Sequence, residues 1–182
     1  SEDDTRVFVQ QLQKRYKNLR YHRHPEMIDG NKNIQAAIKL STGEYVLGAG
    51  DDDYIVDGVL NTLIDHIYSH RDKALIYLQN VPDLSLIHEA SGYLAYLRNI
   101  SFYNTFISAV VMKHCLYDAI EDPEKYVSKG LNQVYIQMEI LKMNPEFSII
   151  CERIWRYDSG EHMPYGYNLI EVFVKNYFDI LT

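Results

Sequence analysis

Three consecutive acids, Asp51, Asp52 and Asp53, are the residues whose types and spacing point most clearly to chemistry. Neighbouring carboxylates repel one another, so such a cluster costs stability unless a cation binds to it. Hard divalent cations such as Mg²⁺ take carboxylate oxygens and often link one or two carboxylates to the phosphates of a substrate. The three acids therefore predict a site for a divalent metal and a phosphorylated ligand.

The acidic turn could instead have one of two local roles. The acids could cap the helix predicted after them, although one residue such as Asp57 would suffice for that. They could also open a calcium loop of the EF-hand type, but its fifth and sixth positions, here Ile55 and Val56, require Asp or Asn and then Gly. The calcium loop is therefore a poor fit, and the helix cap stays open.

The elements on either side of the acids would place them at the edge of a sheet. Glu44–Ala49 is a short apolar segment typical of a strand, and the apolar residues of Val59–Ile67 recur at helical spacing. In open α/β sheets, ligands bind just beyond the carboxyl ends of the strands. Gly48 and Gly50 leave room there for a bulky ligand to approach the backbone.

The periodicity elsewhere predicts further helices and strands. The first half begins with an amphipathic helix that has Phe8, Leu12 and Tyr16 on one face, followed by a strand at Leu19–His22. A loop over Pro25–Asn31 comes next, with Gly30 as its breaker, and then a helix over Ile34–Ser41 that Gly43 ends. We also expect a strand at Ala74–Leu78. In the second half we expect loop plus helix over Pro82–Asn99, a strand or a buried helix over Phe102–Met112, a helix over Val127–Met143, a strand at Phe147–Cys151, a loop-rich segment over Ile154–Tyr167 and a closing helix over Ile170–Leu181. The alternation in the first half favours a parallel sheet with crossover helices.

Composition and charge limit the classes of protein to consider. The chain has 182 residues, of which 47% are hydrophobic and 24% charged, as in a single globular domain. The formal net charge of −7 argues against a nucleic-acid partner, whereas a single bound metal can reverse the local charge at a phosphate site. Two cysteines are too few for a disulfide framework, and no apolar run approaches the ~20 residues that span a bilayer.

Three segments together resemble the family 2 glycosyltransferases of the GT-A fold. They are Asn33-Ile34, Ser41-Thr42-Gly43-Glu44-Tyr45-Val46 and Gly50-Asp51-Asp52-Asp53, and they are similar in particular to the branch with abequosyltransferase-like enzymes. Ser1-Glu2-Asp3-Asp4-Thr5 resembles the family's Ser-x-Asp-x-Thr element, which opens the helix after the second strand. The resemblance implies a single domain over residues 1–182, an α/β fold of the Rossmann-like α/β/α type that lacks its N-terminal strands.

The resemblance also implies a function and its parts. Residues 1–80 would bind a nucleoside-diphosphate sugar and Mg²⁺ or Mn²⁺, and the mostly helical residues 81–182 would face a glycan or lipid-linked acceptor in bacterial surface polysaccharide synthesis. Transfer would invert the anomeric carbon. It would take place in the cytoplasm or at the inner face of the membrane. Peripheral membrane association and a homo-oligomer are both compatible with the resemblance. The implied donor contacts are Asp3, Asn33, Asp51 and Asp52, and the implied metal ligands are Asp51, Asp52, Asp53 and, more weakly, His162.

The sequence departs from the family pattern at two positions. Gly50 stands where the family usually has an acid, so the metal ligands are either Asp51 with Asp53 or Asp52 with Asp53. Asn132 is the nearest match to the catalytic acid that precedes the helix over Val127–Met143, and an amide cannot act as a base. Glu121 and Asp122 are weak substitutes for that base.

Two rival functions follow from these departures. A sugar- or nucleotide-binding module of the same fold would have lost the base, and a metal-dependent phosphate-handling enzyme would share only the acidic turn. We also expect the Glu44–Ala49 strand, without upstream neighbours, to present an edge through which copies of the chain associate.

Five further residues have a structural interpretation beside a functional one. His22, Arg23 and His24 could contact phosphate or form a solvated charged segment. Trp155 and Tyr157 could stack on a sugar ring or fill the core.

Overall fold

A five-stranded mixed sheet forms the centre of the computed structural model, which describes residues 4–81, 86–157 and 168–182. Its order is β1-β5-β3-β6-β4, and the strands are β1 (Tyr45–Leu47), β3 (Leu75–Asn80), β4 (Leu86–Ser91), β5 (Val110–Lys113) and β6 (Glu146–Glu152). β3 pairs in parallel with β6, whereas β5 is antiparallel to both β1 and β3, and β4 is antiparallel to β6. β1, β3 and β6 therefore run in one direction and end at the same edge of the sheet.

A second, two-stranded sheet follows the carboxyl ends of β1 and β6. It consists of β2 (Asp53–Ile55) and β7 (Trp155–Tyr157), which pair antiparallel with Asp53 opposite Tyr157. Because β2 begins at the last of the three acids, this small sheet holds the acidic turn at the edge where ligands bind in open α/β folds.

Helices cover both faces of the central sheet. Those in the described residues are α1 (Thr5–Arg15), α2 (Gly30–Leu40), α3 (Val59–Ser69), α4 (Tyr93–Ile100), α5 (His114–Asp118), α6 (Asn132–Met143) and α7 (Tyr177–Leu181), the last preceded by a π-helical turn over Glu171–Asn176. None of them is long and apolar enough to cross a membrane.

The core has two parts because successive strand side chains point to opposite faces. Leu75 and Tyr77 of β3 face a large cluster with α6, whereas Ile76 and Leu78 face a smaller one with Leu63 of α3. α6 is the most buried helix, with eight inward residues: Asn132, Val134, Tyr135, Ile136, Gln137, Met138, Ile140 and Leu141. The three-layer α/β/α fold expected from the sequence is confirmed.

The sheet is mixed, so the prediction of a parallel sheet is only partly right. β1 and β3 do run in the same direction, but antiparallel β5 lies between them. The predicted ambiguity over Phe102–Met112 resolves into two short 3₁₀ turns followed by β5. The sequence pattern does not predict β4, because Leu86–Ser91 lacks the alternation of a half-buried strand and most of its residues are exposed at the sheet edge.

The predicted strand at Leu19–His22 is wrong. No backbone ladder forms there; instead the Arg20 guanidinium donates to the carbonyl of Leu40 at 3.0 Å and ties the segment to the end of α2. The predicted boundaries of α2 are also wrong. The helix begins at Gly30, because the Asp29 carboxylate accepts from the N–H of Asn31 at 2.9 Å, and it ends at Leu40 rather than at Gly43.

α1 is present, but its predicted apolar face is not buried. Phe8 is 61% exposed and Tyr16 46% exposed, and no residue of α1 is buried. In the described residues β1 pairs with β5 alone and so forms one edge of the sheet. Association of copies through this edge stays a prediction.

Candidate functional site at the acidic turn

The acidic turn links the carboxyl end of β1 to the start of β2. Asp51 and Asp52 are exposed in the turn, whereas Asp53 is partly buried and begins the strand. The N–H of Asp53 donates to the carbonyl of Gly50 at 3.4 Å and closes the turn. The three carboxylates thus project from one tight loop beyond the sheet.

Ser108 fixes the most buried of the three acids. Its side chain is enclosed, at 1% exposure, and its hydroxyl donates a short hydrogen bond to the carboxylate of Asp53. The same hydroxyl oxygen accepts from the N–H of Gly50 at 2.9 Å. One serine therefore holds both the backbone and a carboxylate of the turn.

Two carboxylates fold back over Gly50, where any larger residue would displace them. A Cβ at this position would lie 2.7 Å from Oδ1 of Asp52 and 2.9 Å from Oδ2 of Asp53, closer than real Cβ atoms approach such atoms. The oxygens of Asp52 and Asp53 thus converge on one point. A side chain there would displace both carboxylates, which accounts for the glycine where the resembled family has an acid. The two pairs of metal ligands derived from the sequence, Asp51 with Asp53 and Asp52 with Asp53, both stay predictions.

The converging pair can supply two ligands to a divalent cation. Within the described residues, no group of three or more His, Cys, Asp or Glu side chains is arranged to hold a metal. Two carboxylates nevertheless fit Mg²⁺, which keeps several waters and completes its shell with substrate phosphates. His162 lies outside the described residues.

The acids do not cap the following helix. The N-cap residue of α3 is Gly58, with φ +83°, and the helix receives no side-chain cap and has no acid in its first turn. The alternative interpretation, a helix cap formed by the acids or by Asp57, is therefore excluded.

Asn33 lies on the first turns of α2 and is exposed. It lines a cleft between the helix and the segment that precedes it. Two adjoining hollows, of about 700 and 670 Å³, are lined by Asn33 together with Tyr21, His22 and His24. Ile34, the next residue, lines the same narrow internal gap as Gly48, so this part of α2 lies near the carboxyl end of β1. Asp3, which the resemblance also implies as a donor contact, lies outside the described residues.

A third hollow, of about 560 Å³, lies at the carboxyl end of β3. The described residues that line it are uncharged and include Gln79, Asn80, Tyr103 and Phe106. Phe106 precedes Ser108 by two residues, so one short segment borders both this hollow and the acidic turn. No sequence pattern marks Tyr103 or Ser108 as site residues, because their neighbours in space are remote in the chain.

Asn132 holds a loop in place, and both ends of its amide are engaged. At 1% exposure, its Oδ1 accepts from the N–H of Tyr126 at 3.0 Å and its Nδ2 donates to the carbonyl of Pro123 at 2.7 Å. Glu121 and Asp122 precede this loop, and among the described residues no hydrogen bond or ion pair joins either to the acidic turn. The role of Glu121 or Asp122 as the base therefore stays a prediction, and the amide of Asn132 is committed to the fold.

Glu44 and Tyr45 of the resembled motif build the scaffold. Glu44 forms an ion pair with Arg71, and the Tyr45 hydroxyl bonds to the carbonyls of Arg71 at 2.8 Å and Lys73 at 2.7 Å. Burial, with a contribution from Glu44, raises the pKa of Tyr45 to about 12, so the phenol stays protonated as a donor. These contacts pin the start of β1 to the loop between α3 and β3.

Trp155 belongs to the core, at 2% exposure in the smaller cluster beside Leu63. It is therefore not available to stack on a sugar. The rings of His22 and His24 pack edge to face with centroids 4.6 Å apart, and both residues line the cleft beside α2.

Comparisons with known proteins concern the family and the fold of the chain. The model of the family described as glycosyl transferase family 2 matches residues 1–107. Among solved structures, the chain is similar to S. aureus TarS 1–349 in complex with UDP-GlcNAc, with a TM-score of 0.63 and 19% identity over 100% of this chain and 55% of that one. The chain thus spans about half the length of that protein, and at this identity the likeness concerns the fold. No curated protein matches the chain.

Proposed function

The chain belongs to glycosyltransferase family 2, and we propose that it moves a sugar from a nucleoside-diphosphate sugar to a glycan or lipid-linked acceptor. The observation that carries the proposal is the convergence of the Asp52 and Asp53 carboxylates over Gly50, beyond the carboxyl end of β1. Ligand phosphates bind at this edge of open α/β sheets. The TarS structure contains UDP-GlcNAc, which makes a UDP-sugar the first donor to test.

Asp52 and Asp53 would hold a Mg²⁺ or Mn²⁺ ion against the donor diphosphate. When bound, such a metal supplies a Lewis acid that neutralises the charge of the departing nucleoside diphosphate. The protein itself fixes the position of one metal ligand, because the Ser108 hydroxyl restrains the Asp53 carboxylate before any ligand binds. A restrained ligand oxygen loses less freedom when the site fills, which favours binding.

We propose transfer with inversion, in bacterial surface polysaccharide synthesis, at the cytoplasmic face of a membrane that presents a lipid-linked acceptor. The support is the family resemblance of the segments named in the sequence, from Ser1–Thr5 to Gly50–Asp53, together with a site that has room for a phosphorylated donor. Inversion requires a base that takes the proton of the acceptor hydroxyl as the new bond forms. We assign no residue to that role.

One observation favours a second candidate, a non-catalytic module of the same fold that binds nucleotide-sugars. Asn132 stands where the resembled family has its catalytic acid, and both polar atoms of its amide are engaged in the fold. A module of this kind would bind the donor and metal but transfer nothing. Donor binding without hydrolysis or transfer distinguishes it from the enzyme.

The test is a thermal-stability screen with UDP-GlcNAc, UDP-glucose and GDP-mannose, each with and without Mn²⁺. A donor at 100 times its Kd should stabilise the chain by about 2.7 kcal/mol, and we expect this only when Mn²⁺ is present. Asp65→Asn, which alters an exposed acid on α3, is the matched control and should respond like the native chain. No stabilisation by any nucleotide-sugar with the metal would overturn the proposal.

A further inference from the structure

We propose that the hollow at the carboxyl end of β3 binds the neutral sugar ring that accepts the transferred sugar, with Tyr103 as its stacking face. The proposal rests on the proposed glycosyltransferase function and specifies the acceptor end of the same site. The hollow, of about 560 Å³, is within the usual size of ligand sites.

The turn that carries Tyr103 is held rigidly, although the residue itself is 71% exposed. The Tyr77 hydroxyl donates to the carbonyl of Tyr103 at 3.0 Å. Two glutamines of α6 secure the following residues: Gln137 donates to the carbonyl of Asn104 and Gln133 to that of Thr105, both at 2.8 Å. An exposed aromatic residue on a fixed backbone is preorganised to bind a flat ligand face.

The chemistry of the lining selects a neutral, hydroxyl-rich ring. The described residues of the lining include tyrosine and phenylalanine rings together with side-chain amides, and none of these described residues is charged. The Gln79 Oε1 accepts from the Cys151 thiol at 3.3 Å, which leaves the Gln79 amide N–H groups directed away from that contact as donors. Apolar faces of sugar rings stack on aromatic side chains, and amides bond their hydroxyls, whereas a carboxylate or phosphate would find no cation among these described residues.

Lining residues on two sides of the hollow are connected to Asp53 through the chain and through hydrogen bonds. On one side, Phe106 leads to Ser108, which holds the Asp53 carboxylate. On the other, the Asn80 amide donates to the carbonyl of Trp155 at 3.0 Å, and Trp155 pairs with Ile55 of the strand that Asp53 begins. A ring in the hollow would therefore lie beside the phosphates held at the acids.

The exposure of this site fits an acceptor rather than the donor sugar. Gln79 and Tyr103 are both exposed, so a ring stacked there can remain joined to a glycan or lipid that extends into solvent. The donor sugar, in contrast, is joined only to the diphosphate at the acids.

The experiment measures binding of methyl β-glucoside by saturation-transfer NMR, with UDP and the diamagnetic Mg²⁺ present, and UDP affinity by calorimetry. We expect millimolar binding of the glucoside that Tyr103→Ala weakens by about tenfold, with UDP affinity unchanged. Tyr68→Ala, a control on α3 with 70% exposure, should leave both unchanged. Methyl β-glucuronide, which carries a carboxylate, should bind more weakly than the glucoside to the native chain.

Three results would overturn the acceptor site while leaving the donor site intact. They are UDP binding with no detectable glucoside binding, equal glucoside binding by the native chain and Tyr103→Ala, and tighter binding of the glucuronide. A loss of UDP-GlcNAc affinity in Tyr103→Ala, with UDP affinity kept, would show that the hollow holds the donor sugar instead. Absence of UDP binding by the native chain would mean that the proposed function itself has failed.

Discussion

The hydroxyl of Ser108 donates a hydrogen bond to the carboxylate of Asp53, across a separation of 55 residues in the sequence. It also accepts from the N–H of Gly50 at 2.9 Å, so the serine joins both ends of the acidic turn to the segment before β5. A hydrogen bond to an ionised group is stronger than one between neutral groups. The acid that begins β2 is thus restrained by a residue that belongs to a different part of the fold.

Ser108→Ala should therefore weaken metal-dependent binding more than it weakens the fold. The substitution removes a donor to Asp53 and an acceptor for Gly50 while keeping a small side chain in a buried position. We expect UDP affinity in the presence of Mn²⁺ to fall by about tenfold, measured by calorimetry. Ser69→Ala on α3, which removes a hydroxyl bonded to the carbonyl of Asp65, is the control and should not change UDP affinity. Equal UDP affinity of Ser108→Ala and Ser69→Ala would show that Ser108 has no role in the site.

Gly50→Ala should displace the two converging carboxylates. The new Cβ would stand 2.7 Å from Asp52 Oδ1 and 2.9 Å from Asp53 Oδ2, both at the ends of mobile side chains, so the fold should survive. We expect metal-dependent UDP binding to fall at least tenfold, with a melting temperature close to that of the native chain. Gly30→Ala is the control, because a Cβ there meets nothing within 4 Å. Unchanged UDP binding by Gly50→Ala would show that the convergence has no role.

The sequence predicts those features of the site that depend on neighbours along the chain. The acidic turn after β1 and the amphipathic α3 follow from local pattern, and both are present. The pairing of Asp53 with Tyr157 joins two three-residue strands about a hundred positions apart, too short for any periodicity to show. Ser108 is unpredictable for the same reason, because nothing near it in the sequence indicates a carboxylate.

The helix boundaries show the same limit on a smaller scale. The local pattern places Gly30 in a loop, yet the Asp29 cap makes it the first residue of α2. Leu19–His22 has a strand-like composition, but a strand needs a neighbour to pair with, and here side-chain bonds from Arg20 replace the ladder. Tertiary contacts override local propensity where they determine the partners of the backbone hydrogen bonds.

Asn132→Asp should destabilise the protein in a pH-dependent way. A carboxylate would lose the donor to the carbonyl of Pro123 and would be buried against that oxygen, so burial should raise its pKa. Below about pH 4 the acid is protonated in both states and can still donate; as pH rises through its raised folded pKa that stability is lost. We expect a penalty of about 1–3 kcal/mol at pH 7 and a smaller one at pH 4, by urea unfolding. A pH-independent stability equal to that of the native chain would contradict the assigned hydrogen bonds.

Lys73 should contribute stability over a defined pH window. Its side chain is 7% exposed, and its ammonium lies 2.6 Å from Glu89 and 3.1 Å from Asp72. The hydrogen bond that Lys73 donates to Glu89, opposed by burial, raises the pKa of Lys73, and the one that it donates to Asp72 lowers the pKa of that acid. The stability linked to Lys73 is therefore full below about pH 10 and is lost as pH rises through its folded pKa, whereas that of Asp72 is present above about pH 4 and is lost on acidification.

The measurement is the unfolding free energy of Lys73→Met against that of the native chain from pH 3 to 11. We expect a loss of about 2 kcal/mol between about pH 5 and 9 and a smaller loss at both extremes. The expected loss is no larger because the acidic partners of Lys73 are half exposed, so solvent screens their attraction to the ammonium. Lys142→Met removes a 62% exposed lysine paired with Glu139 and should cost under about 1 kcal/mol. Equal effects of the two substitutions would show that burial of Lys73 adds nothing.

Titration calorimetry of UDP with and without Mn²⁺ asks whether Asp52 and Asp53 hold a divalent cation against a nucleoside diphosphate. The native chain should bind UDP at least tenfold more tightly with Mn²⁺, and Asp52→Asn and Asp53→Asn should each abolish that difference. Asp51→Asn tests the alternative ligand pair, Asp51 with Asp53, and loss of the difference in that variant as well would add Asp51 to the metal ligands. Equal UDP affinity with and without Mn²⁺ in the native chain would contradict the metal-dependent donor site.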